Sequence, residues 1–283
     1  NMSKNRPESR APPDIFYDQK EAQKYTSNSR MIDIQTEMSE RAIELLNLPE
    51  DTPCMLLDVG CGSGLSGECL TEQGHIWIGM DISSAMLDVA REREVEGDVV
   101  LSDAGQGVSF RPGTFDGVIS ISALQWLCNA DKKYHNPVKR LYKFFSTLYA
   151  AMKHGSRAVF QQLYPESPQQ LELITTQAIR SGFGGGVVVD FPNSTKAKKI
   201  FLCLFCGVAS PTLPKALGTE EEAKKKRQIK YVKEREQRGS DKRNKSIKKS
   251  RDWIIEKKER RKRQGKEVSI NTKYTGRKRK PRF

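Results

Sequence analysis

The stretch Leu56-Leu57-Asp58-Val59-Gly60-Cys61-Gly62-Ser63-Gly64-Leu65-Ser66-Gly67 constrains the fold more than any other part of the chain. An apolar run leads into a glycine turn, and the turn leads into a helix start. Glycine is needed where the backbone turns tightly or touches a ligand, and the helix that follows presents oriented N–H groups and a partial positive charge. From residue 54 to 206 short apolar runs alternate with amphipathic ones. Strands are expected at Met55–Val59, Ile76–Met80, Val99–Leu101, Gly117–Ser122, Ala158–Leu163, Val187–Phe191 and Ile200–Phe205. Helices are expected at Leu65–Glu72, Ser84–Arg93, Pro137–Met152 and Ser167–Arg180. The βαβα order predicts an α/β fold, a mostly parallel sheet with helices on both faces. The last two strand runs follow one another with no helix between, so a hairpin and one antiparallel strand are expected at that end. A helical pattern also covers residues 16–48 and stops at Asn47-Leu48-Pro49.

Charge divides the chain. Lys224–Phe283 carries 27 basic and 7 acidic side chains, a net of +20, whereas residues 1–223 have a net charge of −6. The expected organisation is therefore a disordered N-terminus over 1–14, an α/β domain over 15–207 and a basic extension over 208–283. Two basic helical stretches are expected within the extension, near 223–238 and 246–263. Blocks of like charge bind polyanions through counterion release, so nucleic-acid contact is the leading reading and nuclear targeting is compatible with it. No run approaches the roughly 18 apolar residues of a membrane span. No apolar segment opens the chain, so a secretory signal is not expected. Six cysteines in apolar or glycine-rich surroundings suit a reducing compartment better than a disulfide framework. Cys203-x-x-Cys206 has no second pair and no histidine at ligand spacing, so no metal is expected there.

Two cofactors suit the glycine turn in outline. Gly62-x-Gly64-x-x-Gly67 matches a dinucleotide fingerprint. Gly60-x-Gly62-x-Gly64 behind Asp58 matches a loop for S-adenosyl-L-methionine. Three features favour the second over a dinucleotide and over a purely structural glycine turn. Asp58 puts a carboxylate beside the loop, which suits the methionine ammonium, directly or through water, and repels a pyrophosphate. Asp81 ends the next strand, where an acid can accept both ribose hydroxyls. Asp103 follows the third strand, where a carboxylate can accept from the adenine amino group. No acid–base pair for hydride transfer stands in a motif; the histidines are His75, His135 and His154.

The exit of the fourth strand, Ala123-Leu124-Gln125-Trp126-Leu127, is where a methyl acceptor would sit. The Asn/Asp-Pro-Pro-aromatic segment typical of adenine amino methylation is missing, as is a Pro-Cys loop for attack on a pyrimidine ring. An acceptor such as guanine N7 needs only orientation, since its lone pair is nucleophilic and carries no proton. Gln125 and Trp126 are the candidate positioning residues: the glutamine for a base edge, the tryptophan for stacking. The alternative is that Trp126 is a core residue.

The chain resembles the eukaryotic 18S ribosomal RNA (guanine-N7)-methyltransferases. The resemblance rests on Phe16-Tyr17-Asp18, Glu21-Ala22-x-Lys24-Tyr25, Asn28-Ser29-Arg30-Met31, the 56–67 loop, Ser120–Leu127, Val189–Ser194 and Tyr274–Lys280. It implies a class I methyltransferase (Rossmann-like) fold with a seven-stranded sheet. The implied activity forms N7-methylguanosine in 18S rRNA during small-subunit biogenesis, in the nucleus and nucleolus with cytoplasmic presence allowed. It also implies a small zinc-binding activator subunit, placed here on the edge strand near Val99–Leu101. Carried over by position, Gly60, Gly62 and Gly64 cradle the methionine part, Asp81 takes the ribose, Ile82 packs on the adenine and Asp103 takes its amino group. Tyr25 and Arg30 either close over the cofactor, approach the RNA or simply pack their helix, and Asp190-Phe191-Pro192-Asn193 is a further candidate to touch substrate. The alternative function is a preribosome assembly factor whose methyl transfer is dispensable.

Overall fold

A computed structural model of the chain describes residues 7–162, 168–194, 197–208 and 211–218, together with 254, 255, 258 and 269–271. It divides into two units, Asn1–Ala223 and Lys224–Phe283. Among the described residues the first contains seven strands: β1 (Met55–Val59), β2 (Ile76–Asp81), β3 (Asp98–Leu101), β4 (Phe115–Ile121), β5 (Met152–Gln162), β6 (Gly184–Asp190) and β7 (Lys199–Phe205). Their order in the sheet is β3-β2-β1-β4-β5-β7-β6. The first five run parallel, and β7 pairs antiparallel with both β5 and β6, which supplies the expected hairpin.

Among the described residues of this unit the helices are α1 (Pro13–Phe16), α2 (Gln19–Ser27), α3 (Ser29–Leu46), α4 (Leu65–Glu72), α5 (Ser84–Glu92), α6 (Pro137–Ala151) and α7 (Pro168–Arg180). Alternation along the central strands divides the core. Leu57, Val118 and Phe160 join Phe144, Phe145 and Leu148 of α6 on one face. Leu56, Ile119 and Val159 join Met38, Ala42 and Leu46 of α3 on the other. Cys203 belongs to this second layer and Cys206 to the first, so the two thiols lie in different core layers. All six cysteines are free thiols. No helix among the described residues is long and apolar enough to cross a membrane.

Three sequence expectations change. The pattern over 16–48 is not one helix. Asn28 has an extended backbone, ends α2 and caps α3 by accepting from Met31 N–H. Residues 7–14, expected without order, form a short 3-10 turn at Pro7–Ser9 and the start of α1. Third, residues 211–218, expected in the extension, are part of the α/β unit. Asp190 explains why: it is 1% exposed and holds Arg41 in a two-bond ion pair, 2.8 and 3.2 Å. The Leu217 N–H donates to the same carboxylate at 2.7 Å, and Arg41 also donates to the Lys215 carbonyl. Segment 211–218 is thereby tied to the sheet edge. The basic helical stretches expected near 223–238 and 246–263 lie outside the described residues, except that Ile254, Ile255 and Lys258 are helical.

Candidate active site

The strand order reverses between β1 and β4, and a cleft opens at the carboxyl ends of these strands, where open α/β sheets bind ligands. Its volume is about 360 Å³. Its lining comes from the glycine loop, the ends of β2, β3, β4 and β5, helix α3, and the N-terminal residues Pro7 to Tyr17.

The loop leaves β1 at Gly60, whose φ is +74° and where a Cβ would stand 2.2 Å from that of Ala123. Gly60 N–H donates to the Met80 carbonyl at 2.7 Å, so the turn is fastened to the end of β2. Gly67 serves a different purpose. A Cβ there would meet the Trp77 ring at 2.2 Å, so this glycine permits α4 to pack on β2 and does not face a ligand. The third glycine of a dinucleotide fingerprint has the same packing role, so Gly67 does not separate the two cofactors.

Asp81 lines the cleft and supports the loop. Its carboxylate accepts from Gly62 N–H at 2.9 Å and Ser83 N–H at 2.8 Å. Burial raises its pKa, against the lowering effect of N–H groups from Ser83, Gly62 and Ile82. Ile82 lines the cleft beside it. Asp58 lies behind the loop, fully buried; one oxygen accepts from Ser66 Oγ at 2.5 Å, and Oδ1 has no partner among the described residues. Burial pushes its pKa up to about 7, Ser66 opposes the shift and the Asp81 charge adds to it. A carboxyl raised in this way is protonated in the folded chain while still ionised in the unfolded one. Stability therefore falls as pH rises from about 4 to 7. Relative to Asp58→Asn, the wild type is expected to lose about 3 kcal/mol between pH 5 and pH 8 in urea denaturation. A pH-independent difference would refute the shift.

Asp103 reaches the cleft already engaged, which sequence reasoning missed. Arg140 of α6 holds it with two bonds, 2.9 and 3.1 Å, and also contacts His135 Nε2 at 3.0 Å. The basic side chain is thus neutralised where it lines the site. Tyr25 lines the cleft, pairs edge-to-face with Tyr17 and bonds Gln35; burial pushes its pKa up to about 12. Arg30 does not line the cleft and is exposed. Helix α3 instead contributes Met31, Ile34, Gln35 and Met38, a stripe at helical spacing; Arg30, in the first turn, lies about 40° beyond its Ile34 edge. Asp190 is occupied by Arg41, and Asp190–Asn193 do not line the cleft either.

Gln125 and Trp126 sit on a 3-10 turn, Leu124–Cys128, directly after β4. Trp126 is half-buried between Phe16 and Tyr17, with ring centroids at 6.2 and 6.0 Å. Gln125 is buried. Gln161 and Gln162 close β5 on the same cleft and went unnoticed in the sequence. The available signal was their position just after the apolar run Ala158–Phe160, as Asp81 follows its own.

The donor set fits a cationic nucleoside. Asp58 does not itself line the cleft but stands behind the glycine turn with one unpartnered oxygen among the described residues, Asp81 ends β2 on the cleft wall, and the arginine of the lining is already paired. A seven-stranded sheet of this order, with such a site, defines a class I S-adenosylmethionine-dependent methyltransferase.

Known proteins agree. The family described as "Methyltransferase domain" matches residues 57–160, and the one described as "Methyltransferase involved in Williams-Beuren syndrome" matches residues 204–281. A TehB-like methyltransferase of Corynebacterium glutamicum shares the fold, with a TM-score of 0.51 at 19% identity over 67% of this chain and 100% of that one. The 18S rRNA (guanine-N(7))-methyltransferase of Mus musculus is 63% identical over 98% of both chains. The 18S rRNA (guanine(1575)-N(7))-methyltransferase of Saccharomyces cerevisiae is 48% identical over 99% of this chain and 100% of its own. The chain belongs to the 18S rRNA (guanine-N7)-methyltransferase family. The second family match includes residues 219–250.

Proposed function

We propose that this chain transfers a methyl group from S-adenosylmethionine to N7 of a guanine in 18S rRNA, during assembly of the small ribosomal subunit in the nucleus and nucleolus. The observation that carries this reading is end-to-end identity of 48–63% with relatives of that name, together with a cleft built for the cofactor.

Gly60, Gly62 and Gly64 would hold the methionine part against the helix start, with Asp58 facing its ammonium directly or through water. Asp81 would accept the ribose hydroxyls, Ile82 would pack on the adenine, and Asp103 would accept from its amino group while keeping Arg140. Bound S-adenosylmethionine supplies an electrophilic methyl carbon on a sulfonium. Guanine N7 would take that methyl on a lone pair it already carries. No proton is removed, so the chain needs no general base. Its task is to hold the base in line and keep water out. Trp126, with Phe16 and Tyr17, offers the aromatic surface for a splayed base. Tyr25 closes the cofactor side.

The basic extension would bind the RNA backbone. Strand β3 is an edge of the sheet, with Val100 and Leu101 exposed. An apolar edge invites strand addition, and it is the proposed seat of a small zinc-binding activator subunit.

The test is mass spectrometry of 18S rRNA after depletion of the protein. Loss of one N7-methylguanosine, restored by the wild-type chain and not by an Asp81→Ala chain, is the expected result. Unchanged modification would leave only an assembly role.

A further inference from the structure

Cleft polar groups that lack partners are informative, because buried polar atoms are nearly always hydrogen-bonded. Gln125 is 3% exposed, and its Nε2 donates to the Ser122 carbonyl at 2.7 Å. That bond settles which end of the amide is oxygen. Its Oε1 is buried and has no partner among the described residues. Gln162 is also 3% exposed, and its Nε2 is buried and unpartnered in the same sense. One orphan is an acceptor and the other a donor.

A network holds Gln125 through the Ser122 carbonyl and reaches Gln162 at its backbone carbonyl. Ser122 Oγ donates to Gln161 Oε1 at 2.8 Å, and Gln161 Nε2 donates to the Gln162 carbonyl at 2.8 Å. Ser122 N–H donates to the Gln161 carbonyl at 3.1 Å. Ser122 itself holds a φ of +57°, uncommon for a residue with a side chain. Strain of this kind persists only where surrounding contacts enforce it. The network joins the ends of β4 and β5, beside Trp126, and Gln125, Gln161 and Gln162 all line the cleft.

We propose that Gln125 and Gln162 read the Watson–Crick edge of the target guanine: Gln162 Nε2 donates to O6, and Gln125 Oε1 accepts from N1–H and the 2-amino group. This rests on the N7-methylation reading above. Guanine is matched because it presents an acceptor and two donors along that edge. Adenine offers an amino donor where Gln162 also donates, and a bare N1 where Gln125 also accepts. Either mismatch leaves buried groups unpaired, the situation in which sites discriminate most strongly. The two contacts differ in the reaction. As N7 gains the methyl group, positive charge spreads over the purine and its N1–H becomes a stronger donor. The bond to Gln125 tightens toward the transition state, whereas the bond from Gln162 does not. Loss of the first therefore lowers kcat, and loss of the second mainly raises KM.

The experiment uses the full-length chain with its activator subunit and 18S-derived RNA carrying guanosine or 2-aminopurine riboside at the methylated position. 2-Aminopurine keeps N7 and the 2-amino group but lacks O6 and N1–H. Rates are normalised to the reactivity of each RNA toward dimethyl sulfate, which reports intrinsic N7 nucleophilicity. The wild type is expected to favour guanosine by at least about 100-fold in kcat/KM. Gln125→Met and Gln162→Met should each reduce that preference by roughly tenfold, the first through kcat and the second through KM. If a variant fails to melt cooperatively, the wild-type comparison of the two RNAs decides alone. Equal rates on both RNAs, within about threefold, would overturn the edge reading and assign the orphans to water. Absence of methylation on the guanosine RNA would instead overturn the function it rests on.

Discussion

Asp81→Ala is expected to abolish measurable binding of S-adenosylmethionine, raising Kd by at least about 100-fold, while RNA affinity changes little. Two losses combine. The proposed contact to two ribose hydroxyls disappears, and hydrogen bonds to a charged group are worth about 1.5–3 kcal/mol each. The glycine loop also loses its tether, because the same carboxylate accepts from Gly62 N–H. Asp81→Asn separates the effects: it keeps the shape and one acceptor oxygen, and should fall between wild type and alanine. Calorimetry with the cofactor, alongside fluorescence anisotropy with labelled RNA, checks both halves. Cofactor affinity within threefold of wild type would refute the ribose role. Equal loss of cofactor and RNA in a folded variant would refute the separation between cleft and basic extension.

Removal of residues 224–283 is expected to flatten the salt dependence of RNA binding while leaving cofactor affinity intact. These residues carry a net charge of +20 and the remainder is acidic. Each phosphate contact on a single strand contributes about 0.7 to the slope of log K against log salt, so about eight contacts correspond to a slope change of roughly 6. Affinity at low salt should fall by several powers of ten. Cofactor binding serves as the control for folding, since every residue lining the cleft lies within 1–223. An unchanged slope would move RNA recognition to the α/β unit.

Much of the site was legible because it depends on local chain chemistry. An apolar run followed by an acid marks the end of a strand, and Asp81 and Asp103 stand at the cleft in this way, whereas Asp58 lies inside β1, buried behind the loop. Gly60, Gly62 and Gly64 were legible because a turn between strand and helix demands left-handed backbone. Arg30 shows the limit. Periodicity locates a stripe on α3 but not its direction, and the stripe that meets the cleft is Met31, Ile34, Gln35 and Met38. Residues 7–14 show another. Their composition suggests no order, yet Pro7, Glu8, Pro12, Pro13 and Asp14 line the cleft.

The sequence by itself determined the strand–turn–helix unit, the parallel α/β plan and the division of charge, since these follow from side-chain periodicity, turn chemistry and composition within short windows. Only the tertiary structure decided that Asp103 is held by Arg140, that Asp190 is paired with Arg41 149 residues away, and that Gln125 is joined through Ser122 and Gln161 to the end of β5. Those pairings depend on which strand lies beside which and which helix covers them. Packing of the whole chain settles that, and no local preference encodes it.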